Sequence, residues 1–226
     1  YTVKLFTGNL TEHARREASM VVRHPQLAEV VTISEVGGQP AVVLRFTRGY
    51  ELFRRYRLRP AINHEPRAYI RTLADVLSAL GAMHDAGLLH RDVKADNVLV
   101  LASGEAHLLD FDLSGPSYEV FESPRRIGTA AYQSPEAERG EPLGPQSDLY
   151  SVGTLLYWGL RGFLPEELSG PLGSLGDSTF GLNNTPLEDL CRELLRSDPQ
   201  RRPGSAEQVR AELLAAAAPL LGEGLD

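Results

Sequence analysis

The sequence predicts an α+β protein of two unequal parts, a small strand-rich N-terminal lobe and a larger helical C-terminal lobe. Three observations lead there. Short, alternating, β-branched runs lie within residues 1–46. From Gly49 onward a 3.6-residue periodicity takes over. Two short apolar runs, 97–101 and 106–109, interrupt the helices around a Ser103-Gly104 turn.

Residues 1–6 alternate and read as a strand. Gly8 and Asn9 turn the chain into a helix over residues 11–22, N-capped by Thr11, with Ala14, Ala18, Val21 and Val22 on one face and Pro25 closing it. Residues 29–36 and 41–46 read as two strands, and Gly37-Gly38-Gln39-Pro40 between them as a hairpin connection. A hinge is expected at residues 45–49. Residues 66–86 place Ile70, Leu73, Ala74, Leu77, Leu80 and Met83 on one stripe of a long helix that Gly87 ends. Residues 114–141 are irregular; helices are expected at 147–160, 186–195 and 205–216, with a Gly/Pro/Ser-rich loop at 163–184. The cleft between the lobes is the natural ligand site.

Composition narrows the function classes. A formal net charge of -7 argues against nucleic acid as the main partner, since phosphate binding shows as a basic surplus. No apolar run is long enough to span a bilayer, and no signal-peptide pattern opens the chain. A lone cysteine, Cys191, excludes an internal disulfide framework, so the expected location is cytoplasmic, as a whole protein or as the cytosolic part of a larger one. Of the 23 basic residues only Lys4 and Lys94 are lysine. An arginine bias, as in a GC-rich bacterial genome, explains the remainder. Such a bias would have replaced these as well, unless a compact ammonium does there what a planar guanidinium cannot.

The centre of the functional reading is His90-Arg91-Asp92-Val93-Lys94-Ala95-Asp96-Asn97, followed by Asp110-Phe111-Asp112. Phosphoryl transfer needs a base for the attacking hydroxyl, oxygen ligands for Mg²⁺ or Mn²⁺ on the phosphates, and a cation to offset charge on the transferred group. Asp92 is the candidate base, Asn97 and Asp110 the candidate metal ligands, and Lys94 the candidate cation. The first group lies just before one short strand and Asp110 just after the second, so a hairpin would bring both to one edge.

This pattern resembles the catalytic loop of eukaryotic-type (Hanks-type) serine/threonine protein kinases, and the lysine two residues after the aspartate is the serine/threonine variety. Asp110-Phe111-Asp112 looks like the family's Asp-Phe-Gly motif with its glycine replaced. Residues 128–136 are similar to the segment that ends the activation loop and receives the peptide. Asp148 resembles the buried aspartate that braces the catalytic loop. Residues 198–203 resemble the late arginine motif, with Arg202 as the partner of Glu136. The resemblance implies a bilobal kinase fold over residues 1–226, with a partial N-lobe at 1–46 and the hinge and C-lobe at 47–226. It also implies Mg-ATP as cofactor and protein as substrate. Lys4 would hold the α- and β-phosphates and pair with a helix glutamate, Glu17 or alternatively Glu12. Leu44, Arg45 and Thr47 would line the adenine site, chiefly through backbone groups.

The chain departs from the family in two places. Three residues before Lys4 cannot supply the glycine-rich strand pair, and upstream sequence is the expected explanation. Asp112 stands where glycine is usual, which should alter dynamics without removing the chemistry. Activation-loop phosphorylation at Ser117, Ser123 or Thr129 would pair with Arg91, although Thr129 fits a contact to the catalytic loop better. Two other readings stay in view: a pseudokinase or scaffold, and a small-molecule phosphotransferase of the aminoglycoside or choline type.

Overall fold

The alternating runs of the N-terminal region form an antiparallel sheet in a computed structural model. It describes residues 1–6, 11–19, 22–57, 60–118, 130–164 and 185–221. Strands β1 (Thr2–Leu5), β2 (Val30–Val36) and β3 (Gln39–Leu44) stand in the order β1-β3-β2. Lys4 lies opposite Val42, and helix α1 (Thr11–Ala18) covers that face by burying Ala14 with Phe6 and Val42. The hairpin turn is tighter than expected. Gly37 and Gly38 (φ 60° and 78°) make the whole connection, while Gln39 and Pro40 belong to β3, opposite Val36 and Glu35. Two consecutive positive-φ residues suit the twist of a two-residue hairpin, so the strand starts sooner than the Gly/Pro-rich string suggests.

The chain then crosses to the larger part through β4 (Gly49–Glu51), α2 (Leu52–Tyr56) and α3 (Ala61–His64). These short elements carry too few residues to show a period. Helix α4 (Pro66–Asp85) begins with proline at its first turn, and its expected stripe, Ile70 to Met83, is buried. After β5 (Leu88–Leu89), strands β6 (Val98–Leu101) and β7 (Ala106–Leu108) form an antiparallel hairpin, completed by β4 in the order β4-β6-β7. The irregular stretch contains β8 (Gly115–Pro116), paired with β5, and α5 (Pro135–Glu138).

Helix α6 (Pro145–Arg161) is the axis of this part: every residue from Ser147 to Gly159 is buried. A helix buried all round needs close neighbours. Gly159 provides one contact, because a Cβ there would lie 2.1 Å from the ring of Tyr69, whose hydroxyl donates to Leu155 O at 2.6 Å. Helix α7 (Pro186–Leu194) starts with a capping box between Thr185 and Glu188. Helix α8 (Ala206–Leu221) runs past its expected end and through Pro219, with Ala217 and Leu221 buried against the core. Most of the expected loop at 163–184 lies outside the described residues, as do Ser123 and Thr129. Among the described residues no helix is long and apolar enough to cross a membrane.

Candidate active site

The β6/β7 hairpin brings the two candidate motifs together. Val98 pairs with Leu108, and just outside that pair the Leu109 N–H donates to Asn97 O at 2.8 Å. Asn97 therefore enters the hairpin as Asp110 leaves it.

Asp92 sits at the centre of a small polar cluster. Its Oδ2 accepts from Lys94 Nζ at 2.7 Å and from Asn97 Nδ2 at 2.9 Å, while Asn97 Nδ2 also donates to Asp92 O at 2.8 Å. The amide nitrogen of Asn97 is thus committed to Asp92, which leaves its amide oxygen as the atom it can offer a metal. An amide oxygen and the Asp110 carboxylate are hard donors that suit Mg²⁺, an ion that keeps several waters and takes its other oxygens from phosphates. Among the described residues no set of three His, Cys, Asp or Glu side chains forms a metal cage.

The loop carrying Asp92 is braced from below. Arg91 has φ 67°, a left-handed conformation that costs a non-glycine residue about 1–2 kcal/mol. Asp148 of α6 holds it there: Oδ1 accepts the Arg91 N–H at 2.8 Å, and Oδ2 accepts the His90 N–H at 2.9 Å. His84 Nε2 at the end of α4 reaches the same Oδ2 at 2.9 Å. Burial would raise the Asp148 carboxyl, but the hydrogen bond and charge of His84, with His90, outweigh it and hold the carboxyl below its usual range. His90, itself buried, bridges Leu109 O (3.0 Å) and the Asp92 N–H (3.2 Å) and packs edge-on against Phe111 at 5.5 Å. His84 escaped the sequence reading because its contact joins distant segments, with 64 residues separating it from Asp148.

Across the cleft, Lys4 faces three carboxylates. Its Nζ lies 2.8 Å from Glu17 Oε2, donates to Asp110 Oδ1, and is 3.8 Å from Asp112 Oδ2. Burial tends to lower the Lys4 ammonium, yet Asp110 and Glu17 outweigh it and raise it. Burial pushes the fully buried Glu17 carboxyl up in spite of Lys4. For Asp110 the balance reverses: burial is outweighed by Lys4, and the carboxyl lies below its usual range. Asp110 shares the φ of 67° seen at Arg91, which turns its carboxylate to Lys4 while Phe111 is buried. The proximity of Asp112 to Lys4 had no signal in the sequence beyond the missing glycine.

The remaining candidates occupy the hinge. Leu44 ends β3 and packs on the Phe6–Ala14–Val42 cluster. The Arg45 N–H donates to Glu29 O at 2.9 Å. Thr47 is half-buried in the connection to β4. On the far side of α6, Arg202 forks onto Glu136 with bonds of 2.6 and 2.8 Å, and Ser151 and Thr154 donate to the carbonyls of Tyr132 (2.7 Å) and Ala131 (3.2 Å). These bonds anchor the end of the expected peptide-binding segment; its start lies outside the described residues.

Comparison with known proteins agrees with this geometry. A family model described as Protein kinase domain matches residues 4–214. The chain is similar to the serine/threonine-protein kinase pkn2 of Myxococcus xanthus, 31% identical over 233 residues, covering 93% of this chain and 28% of that protein. It is also similar to the serine/threonine-protein kinase PknB of Mycobacterium tuberculosis (30% identical) and of Mycobacterium leprae (28% identical), with 88% of this chain and 35% of the relative covered in each case. The chain therefore spans about a third or less of the length of these relatives. The match runs across both lobes and takes in the hairpin, the Asp148 brace and the Arg202 fork: this chain belongs to the protein kinase domain family.

Proposed function

We propose that this chain transfers the γ-phosphate of Mg-ATP to serine or threonine hydroxyls of protein substrates. The observation that carries the reading is the Asp92 carboxylate gripped by Lys94 at 2.7 Å and Asn97 at 2.9 Å, beside the strand that delivers Asp110. Asp92 accepts the proton of the attacking hydroxyl as that oxygen bonds to the γ-phosphorus. The bond from the γ-phosphorus to its bridging oxygen breaks, and ADP departs with the electron pair. Lys94 offsets negative charge on the transferred group, and Lys4 orients the α- and β-phosphates after exchanging Asp110 for them. Asn97 and Asp110 would hold Mg²⁺, which neutralises phosphate charge when bound. The hinge carbonyl of Arg45 and the backbone of Thr47, beside Leu44, receive the adenine. The serine/threonine preference rests on Lys94 and on the relatives named above.

Radiolabelled ATP with Mg²⁺ or Mn²⁺ and a generic basic protein tests the proposal, beside Asp92→Asn. Label on serine or threonine that falls about 10²- to 10⁴-fold in the variant is the expected result, the usual contribution of a positioned base. ATP binding without transfer would reject turnover, and label on an aminoglycoside but not on protein would reject the substrate class.

A further inference from the structure

A cavity of about 680 Å³ opens beside the hinge, and its wall includes none of Lys4, Asp92, Asn97 or Asp110. It is lined by residues 22–25 and 27–30, by Arg45 and Thr47 of the hinge, and by His107 of β7. Main-chain bonds tie these segments together. The Leu108 N–H donates to Gln26 O at 2.7 Å, the Ala28 N–H to Leu108 O at 3.0 Å, and the Arg45 N–H to Glu29 O at 2.9 Å. The cavity is therefore part of the scaffold, and its volume falls in the range of small-molecule sites.

Its lining has two characters. Leu27 is buried, and Val30 and Ala28 are half-buried, giving an apolar floor. Around them stand the guanidinium groups of Arg23 and Arg45 against the single carboxylate of Glu29, onto which Arg45 forks through Nε and, at 3.3 Å, through Nη2. His24 and His107 are both held below the usual imidazole range by burial, so they offer neutral donors and acceptors at pH 7. The lining thus carries an excess positive charge on a chain whose net charge is -7.

We infer that this cavity is a second ligand site, separate from the nucleotide cleft, that takes an amphipathic organic anion: an apolar body on Leu27, Ala28 and Val30, with one anionic head at Arg23, beside the Arg45–Glu29 ion pair. The apolar floor supplies the burial, and the Arg23 guanidinium selects for charge.

The test uses the full chain with saturating Mg-ATP, titrated with 8-anilinonaphthalene-1-sulfonate and, separately, with N-phenyl-1-naphthylamine, the same rings without the sulfonate. The expected result is one equivalent of the sulfonate bound. Its affinity should fall about tenfold or more in Arg23→Glu and be lost in Ala28→Trp, and the uncharged probe should bind at least about tenfold more weakly. Thermal unfolding and ATP binding check that each variant is folded, with Arg23→Gln and Ala28→Leu as replacements for any that is not. Unchanged sulfonate affinity in both folded variants overturns the site. Equal affinity for the two probes overturns the anionic class, and displacement of the sulfonate by ATP in direct competition overturns the separation from the cleft.

Discussion

Asp148 Oδ1 accepts the backbone N–H of Arg91 at 2.8 Å, and this bond fixes a residue whose φ of 67° would otherwise relax. The carboxylate acts as a splint for the loop: it satisfies two main-chain donors, one of them buried, so the backbone at Asp92 is set by a residue on another element.

Removing that splint should be costly. Asp148→Ala leaves the His90 and Arg91 N–H groups and His84 without their acceptor, and a loss of about 3–5 kcal/mol is expected in urea unfolding. Asp148→Asn retains one acceptor oxygen and should lose less.

Arg202 and Glu136 form a buried fork, with side-chain exposures of 0% and 3%. Arg202→Met alone strands the carboxylate and should destabilise by about 3–5 kcal/mol, whereas Arg202→Met with Glu136→Leu should recover much of that loss. Chemical denaturation of the two single variants and the double variant, as a cycle, measures the coupling.

Stability should decline in acid. Asp148, Glu136 and Asp110 all lie below the usual carboxylate range: burial opposes this in each, and His84, Arg202 and Lys4 respectively outweigh it. A carboxyl depressed in the folded state binds fewer protons there than in the unfolded chain. The stabilisation is therefore complete above the unfolded pKa of about 4 and is lost as pH falls through the depressed folded values. Thermal midpoints measured from pH 7 to pH 2 should hold nearly level to about pH 5 and then drop. Arg202→Met should flatten the share due to Glu136.

Asp112 lies 3.8 Å from Lys4, where on the proposed reading it would compete with the phosphates. Asp112→Asn removes that charge and should lower the KM for Mg-ATP by up to about fivefold, the scale of a partly exposed ion pair, with kcat changed less. Initial rates against ATP concentration separate the two constants.

Much of the molecule was legible because its signals are local. The stripe in α4 and the Gly37-Gly38 turn are written in residues a few places apart, and the elements formed close to the expected positions. The eight residues from His90 to Asn97 carry their chemistry in their own side chains. The elements from β4 to α3 were not legible, being too short to show a period. The extension of α8 through Pro219 was hidden because proline reads as a stop, while burial of Ala217 and Leu221 favours continuing.

By itself the sequence determined the two-part α+β architecture and the set of groups proposed for phosphoryl transfer, since periodicity and residue type are properties of short segments. Tertiary structure alone decided contacts such as Asp112 at Lys4, His84 at Asp148, and Arg23, Arg45 and His107 around one cavity. Those contacts depend on how the lobes and helices pack, and packing free energy is summed over the whole core, so no local run of residues records it.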